Sequence, residues 1–138
     1  MKFTVFCIEN YKAYLCFNDP KLKALYFVEN FAANDMNKIG QLYLNEGMLQ
    51  GKQFISKDWI HMSTSVQSQG DIKFCPYKYG YLWWIIDEEE KSFAAIGDGG
   101  NVIYVNPKKD MVVSILSTYM PNAKDRIRLI REYIEPAF

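Results

Sequence analysis

The stretch from Tyr77 to Leu116, YKYGYLWWIIDEEEKSFAAIGDGGNVIYVNPKKDMVVSIL, constrains the fold more than any other part of the chain. Three β-rich runs, about Tyr79–Ile86, Ser92–Ile96 and Val102–Val105, are followed by a further run at Met111–Leu116. Asp87–Lys91 and Asn106–Asp110 supply turn residues between them. Short alternating runs joined by such turns predict an antiparallel meander. A glycine cluster, Gly97-Asp98-Gly99-Gly100-Asn101, stands at the mouth of the middle run.

Upstream, Phe3–Ile8 and Tyr11–Phe17 alternate as two β-prone runs around Glu9-Asn10, which predicts a hairpin over residues 1–17. Residues 18–33 read as a short helix or a linker. From Asn34 a helix is expected, capped by Asn34 or Asp35, with Met36, Ile39, Leu42, Tyr43 and Leu44 as its apolar stripe. Gly47 is its left-handed stop. Gly51–Ile55 reads as an extended connector. Ser56 reads as the cap of a second helix carrying Trp59, Ile60 and Met62. Residues 63–75 read as a loop. Asn122 is expected to cap a final helix with Ile127, Leu129, Ile130, Tyr133 and Ile134 inward, and Arg126, Arg128 and Arg131 toward its later turns. Hairpin, helices, meander and helix make one α+β domain over residues 1–138, its antiparallel sheet packed by helices.

Composition narrows the function classes. Lysine plus arginine equals aspartate plus glutamate at 16 each, so no net field draws nucleic acid or an anionic membrane. The apolar run at Phe3–Ile8 is short, ends at Glu9 and has no small-residue cleavage site after it, so the expected location is the cytoplasm. No apolar run is long enough for a membrane span. Cys7, Cys16 and Cys75 have no C-x-x-C spacing and read as small buried side chains, not as metal ligands. No metal or other cofactor is expected. His61 reads as a surface or packing residue, and Glu88-Glu89-Glu90 as a solvated turn.

The order of motifs resembles the serine β-lactamase and penicillin-binding-protein superfamily, its class-C-like branch in particular. The helix motif D-M-x-K-x-G-Q-L-Y-L-N-x-G stands at Asp35–Gly47, and G-K-x-I-I-S-x-x-W has its counterpart at Gly51–Trp59. Tyr-Gly-Tyr-x-Trp-Trp stands at Tyr79–Trp84, and Pro-x-x-Asp-x-Val-Val at Pro107–Val113. These motifs lie in residues 34–138, and the match runs from Asn34 to about Ile134. The resemblance implies serine-hydrolase chemistry on β-lactam, peptide or ester bonds, in proteins that are often exported. It also implies four catalytic parts: S-x-x-K, a Tyr-x-Asn or Ser-x-Asn relay, a Lys- or His-containing glycine motif, and a backbone oxyanion donor just after it.

Only the last two have a counterpart here. Asp98, Gly99 and Gly100 take the place of the Lys/His-Thr/Gly-Gly motif, with a carboxylate where the family has a hydrogen-bond donor. Asn101 offers its N–H as the oxyanion-type donor, and Tyr81 and Trp83 are candidate cleft aromatics. None of the seven serines has lysine at the third place after it. Tyr43-Leu44-Asn45 and Tyr104-Val105-Asn106 match Tyr-x-Asn by accident. Residues 18–33 stand where the family's catalytic helical domain belongs, so the chain reads as a remnant or binding module for a peptide or acyl ligand. The alternative is a half-site completed by another chain. A fold without its helical half exposes apolar surface, and burial at about 25 cal/mol per Å² favours a homodimer or a partner chain.

Overall fold

The computed structural model describes residues 2–9, 12–16, 33–70, 76–97, 99–117 and 125–138. Two strands, β1 (Lys2–Glu9) and β2 (Lys12–Cys16), pair antiparallel as the expected hairpin requires, with Glu9 opposite Lys12. Residues 18–32, whose reading as helix or linker was open, lie outside the described residues.

Helix α1 (Ala33–Leu44) follows, then a two-stranded ribbon of β3 (Met48–Leu49) and β4 (Lys52–Gln53), then α2 (Lys57–Ser63). Helix α1 begins before Asn34, so Asp35 sits in the first turn, where it accepts from Lys38 Nζ at 2.7 Å, and does not cap. Gly47 takes φ +84° after the last turn, as its position predicts. The Ser56 hydroxyl caps α2 by accepting from Trp59 N at 3.2 Å.

The meander is longer and more broken than the sequence suggests. The Tyr79–Ile86 run splits into β5 (Lys78–Tyr79) and β6 (Trp84–Asp87), because Leu82 turns the chain with φ +66°. After these come β7 (Ser92–Ile96), β8 (Val102–Asn106) and β9 (Met111–Ser117). The sheet order is β2-β1-β9-β8-β7-β6-β5. Hairpin and meander are each antiparallel, but β1 joins β9 in parallel, from Lys2 opposite Met111 to Ile8 opposite Ser117. The sheet is therefore mixed where antiparallel pairing throughout was expected. A parallel pair requires a long crossover, and everything between β1 and β9 supplies it.

Both faces of the meander are covered, which explains why β8 and β9 read as nearly continuous apolar runs. Side-chain alternation sends Val102, Tyr104, Val113 and Ile115 to one face, where Ile127, Ile130 and Ile134 of the C-terminal helix cover them. Ile103, Val105 and Val112 point the other way, toward Met36, Ile39 and Tyr43 of α1. Helix α1 lies so close to the sheet that a Cβ on Gly40 would sit 2.5 Å from Val112 Cγ1. Ser114 shares this face and donates to Asn37 Oδ1 at 3.1 Å, which satisfies two buried polar groups at once.

The C-terminal helix starts as α3 (Arg126–Leu129), widens to a π turn over Ile130–Ile134 and ends in a 3-10 turn over Glu135–Ala137. Its cap is Asp125, whose carboxylate accepts from Ile127 N and Arg128 N, while Asn122 lies outside the described residues. Arg126 and Arg128 consequently fall in the first turn, and Tyr133 is exposed rather than inward.

Candidate functional site

The glycine turn joins the end of β7 to the start of β8. Gly97 N donates to Asn101 O and Gly100 N to Gly97 O, both at 2.9 Å, with Gly100 at φ +87°. Ser117, at the end of β9, ties this turn down. Its hydroxyl donates to Gly99 O at 2.6 Å, and its N–H donates to Asn101 Oδ1 at 2.9 Å. The carbonyl and side-chain oxygens of Asn101 are thus both used. Among the described residues nothing accepts from the Asn101 main-chain N–H. Asp98 lies outside the described residues.

The strand register brings the 80–83 turn to the same end of the sheet. Trp84 pairs with Ala94, so the start of β6 lies beside the end of β7. Here the two candidate aromatics part company. Tyr81 is 45 % exposed and stacks on Trp59 of α2, with ring planes 6° apart and centroids at 5.7 Å. Trp83 is 4 % exposed and packs against Tyr43 at 4.4 Å and edge-on to Phe93 at 5.0 Å. Trp83 is a core residue and not a cleft wall. The turn at Leu82 places Tyr81 and Trp83, two residues apart, on opposite sides of the boundary between core and surface.

The other end of β8 holds what the sequence reading missed. Tyr104 and Asn106 stand two residues apart, hence on one face of the strand, and both reach Glu135. Tyr104 Oη donates to Glu135 Oε1 at 2.6 Å, and Asn106 Nδ2 donates to the same oxygen at 2.9 Å. Lys109 Nζ approaches Glu135 Oε2 at 3.2 Å, and Asn106 Nδ2 also donates to Glu90 Oε2 at 2.9 Å. Glu90 therefore belongs to a buried network, so the glutamate turn is more than a solvated loop. Burial, with the Glu135 carboxylate alongside, pushes the Tyr104 hydroxyl far above its ordinary range. Burial pushes the Glu135 carboxyl upward as well, yet hydrogen bonds from Tyr104, Asn106 and Lys109 outweigh it and hold the carboxyl below its usual range. A tyrosine held protonated cannot act as a base. Tyr104-Val105-Asn106 is a structural clamp, and the signal for it in the sequence was the i, i+2 spacing itself.

His61 is exposed, with Nε2 3.5 Å from Glu46 Oε1. The Lys57 ammonium, hydrogen-bonded to Glu46 at 2.6 Å, holds that carboxyl below its ordinary range. Among the described residues no serine hydroxyl is hydrogen-bonded to a lysine amine or a histidine ring. Nor do these residues gather three or more histidine, cysteine or acidic side chains into a metal-binding group. Among them no helix is long and apolar enough to cross a membrane.

No family model matches the chain. The 6-aminohexanoate-dimer hydrolase of Paenarthrobacter ureafaciens is 23 % identical to it over 94 residues, which is 63 % of this chain and 24 % of that protein. A solved structure from Bacillus anthracis, provisionally named a 6-aminohexanoate-dimer hydrolase, superposes with a TM-score of 0.55 at 30 % identity. The match covers 75 % of this chain and 28 % of that one. This chain resembles the serine β-lactamase and penicillin-binding-protein superfamily, to which the 6-aminohexanoate-dimer hydrolases belong. It spans about a quarter of the length of these superfamily relatives. The helix-on-sheet arrangement is that of a β-lactamase-like hydrolase fold fragment.

Proposed function

We propose that these residues form the sheet side of a serine-hydrolase-type site and carry out no acyl transfer by themselves. The observation behind this reading is that all seven serines lack a lysine at the third place, while the glycine turn keeps a main-chain donor at Asn101. An oxyanion donor stabilises charge that a nucleophile must first create. Asp98 adds to the argument, because a carboxylate in the motif position repels both a substrate carboxylate and a developing oxyanion. Asn101 N–H, with Tyr81 near the same sheet end, then serves weak binding of a peptide or acyl ligand.

The test is covalent labelling with a fluorescent penicillin, together with turnover of nitrocefin, p-nitrophenyl esters and the 6-aminohexanoate dimer. The expected result is no stoichiometric label and no turnover above buffer. One label per chain overturns the reading.

The intact Asn101 donor favours a second reading, in which another chain supplies S-x-x-K and Tyr-x-Asn. Turnover that arises only on mixing with such a chain would establish it. Both readings call for association, and exposed Trp59, Met62, Tyr81 and Leu82 support a dimer or partner-bound state. A clean monomer in sedimentation at micromolar concentration would count against that.

A further inference from the structure

A cavity of about 580 Å³ lies between the end of α1, helix α2 and the sheet, within the size range of small-molecule pockets. It is separate from the glycine turn. Lys91 precedes β7 and Pro107 follows β8, so this part of its rim belongs to the strand ends opposite residues 97–101. Leu44, Ile60, Val66, Ile85 and Phe93 give it an apolar wall. Its rim carries Glu46, His61, Glu88 and Lys91.

The charges on that rim are not equivalent. Glu46 is paired with Lys57 at 2.6 Å, and Glu88 with Lys78 at 2.5 Å. Both carboxylates are neutralised by lysines that do not line the cavity. Lys91 has no carboxylate partner among the described residues. Its place is fixed by a turn in which Asp87 Oδ1 accepts from Glu89 N and Glu90 N, and its own φ is +54°. The Thr64 and Ser65 hydroxyls at the mouth already donate to Ile60 O and Met62 O, so neither proton is available to a guest. The pocket therefore combines an apolar wall with an ammonium, that of Lys91, which has no carboxylate partner among the described residues.

We propose that this cavity is a binding site for a small amphipathic carboxylate, its hydrocarbon body against Ile85 and Phe93 and its head group at Lys91. The site is independent of any acyl-transfer chemistry at the glycine turn.

The experiment is an amide-resolved NMR titration of the 138-residue chain with octanoate, octanol and octylamine. Octanoate is expected to give saturable shifts at Thr64, Ile85, Lys91 and Phe93, and to bind more tightly than the other two. Lys91→Asn keeps a side chain that tolerates positive φ and removes the charge. It should weaken octanoate about tenfold and leave octanol unchanged, a fold-change typical of one lost charge contact. Ser65→Trp, an exposed substitution at the mouth, should abolish octanoate shifts while the spectrum stays dispersed. Equal affinity for octanoate and octanol, tighter binding of octylamine, or shifts centred on Trp59 and Leu82 would each overturn the proposal. So would octanoate binding that survives both variants, or no saturable shift at millimolar octanoate.

Discussion

The two ends of β8 use similar residues for opposite purposes. At the Asn106 end, Tyr104, Asn106, Lys109, Glu90 and Glu135 bond mainly to one another, and the network locks the C-terminal helix to the sheet. At the Val102 end, the turn is held through Ser117, and the Asn101 N–H has no acceptor among the described residues. That same end carries exposed Tyr81 and a Leu82 that is 80 % exposed with φ +66°. Buried polar groups that satisfy one another hold structure together. A donor without an acceptor among the described residues, beside exposed apolar side chains and a left-handed Leu82, fits the ligand-facing role we propose for this end.

Removing the centre of the locked end should have the largest effect. Glu135→Ala leaves Tyr104, Asn106 and Lys109 around a missing carboxylate, and should cost about 3–5 kcal/mol in urea unfolding. A loss below about 1 kcal/mol would break the contrast between the ends. The same carboxylate predicts acid sensitivity. Because its folded pKa is depressed, its contribution is complete above the ordinary carboxylate value of about 4.3 and fades as pH falls through the lowered folded value. Unfolding midpoints measured from pH 6 down to pH 3 should show this loss, and Glu135→Gln should flatten it. Tyr104→Phe removes one hydrogen bond to a charged group and should cost about 1.5–3 kcal/mol in the same assay.

Effects at the open end should be smaller. Ser117→Ala loses the bond to Gly99 O and should cost about 1 kcal/mol. A cost equal to that of Glu135→Ala would mean both ends are equally locked. Leu82→Gly relieves a left-handed conformation that L-residues resist. It should raise stability by about 0.5–1 kcal/mol, read as a higher thermal midpoint.

Much of the fold was legible because its signals are local. Helix α1 could be placed from the spacing of Met36, Ile39 and Tyr43, α2 from the Ser56 cap, and the strands from their turns. Errors came where a neighbour in space decides. Tyr133 has the right spacing to face inward, yet it is 69 % exposed. Trp83 and Tyr81 look alike in sequence, and only the turn at Leu82 sends one to the core and the other to the surface. The amphipathic cavity has no sequence signature, because its wall draws on α1, α2, β6 and β7 together.

By itself, the sequence determined the α+β class, the glycine turn between β7 and β8, and the absence of S-x-x-K from these 138 residues. Those features follow from short-range periodicity, turn chemistry and residue identity, which need no partner in space. Only the tertiary structure decided that β1 runs parallel to β9, that Tyr104-Val105-Asn106 is a clamp on Glu135, and that Lys91 overlooks an apolar cavity. Each of these depends on groups far apart in the chain, and the free energy of such contacts is set by burial and distance.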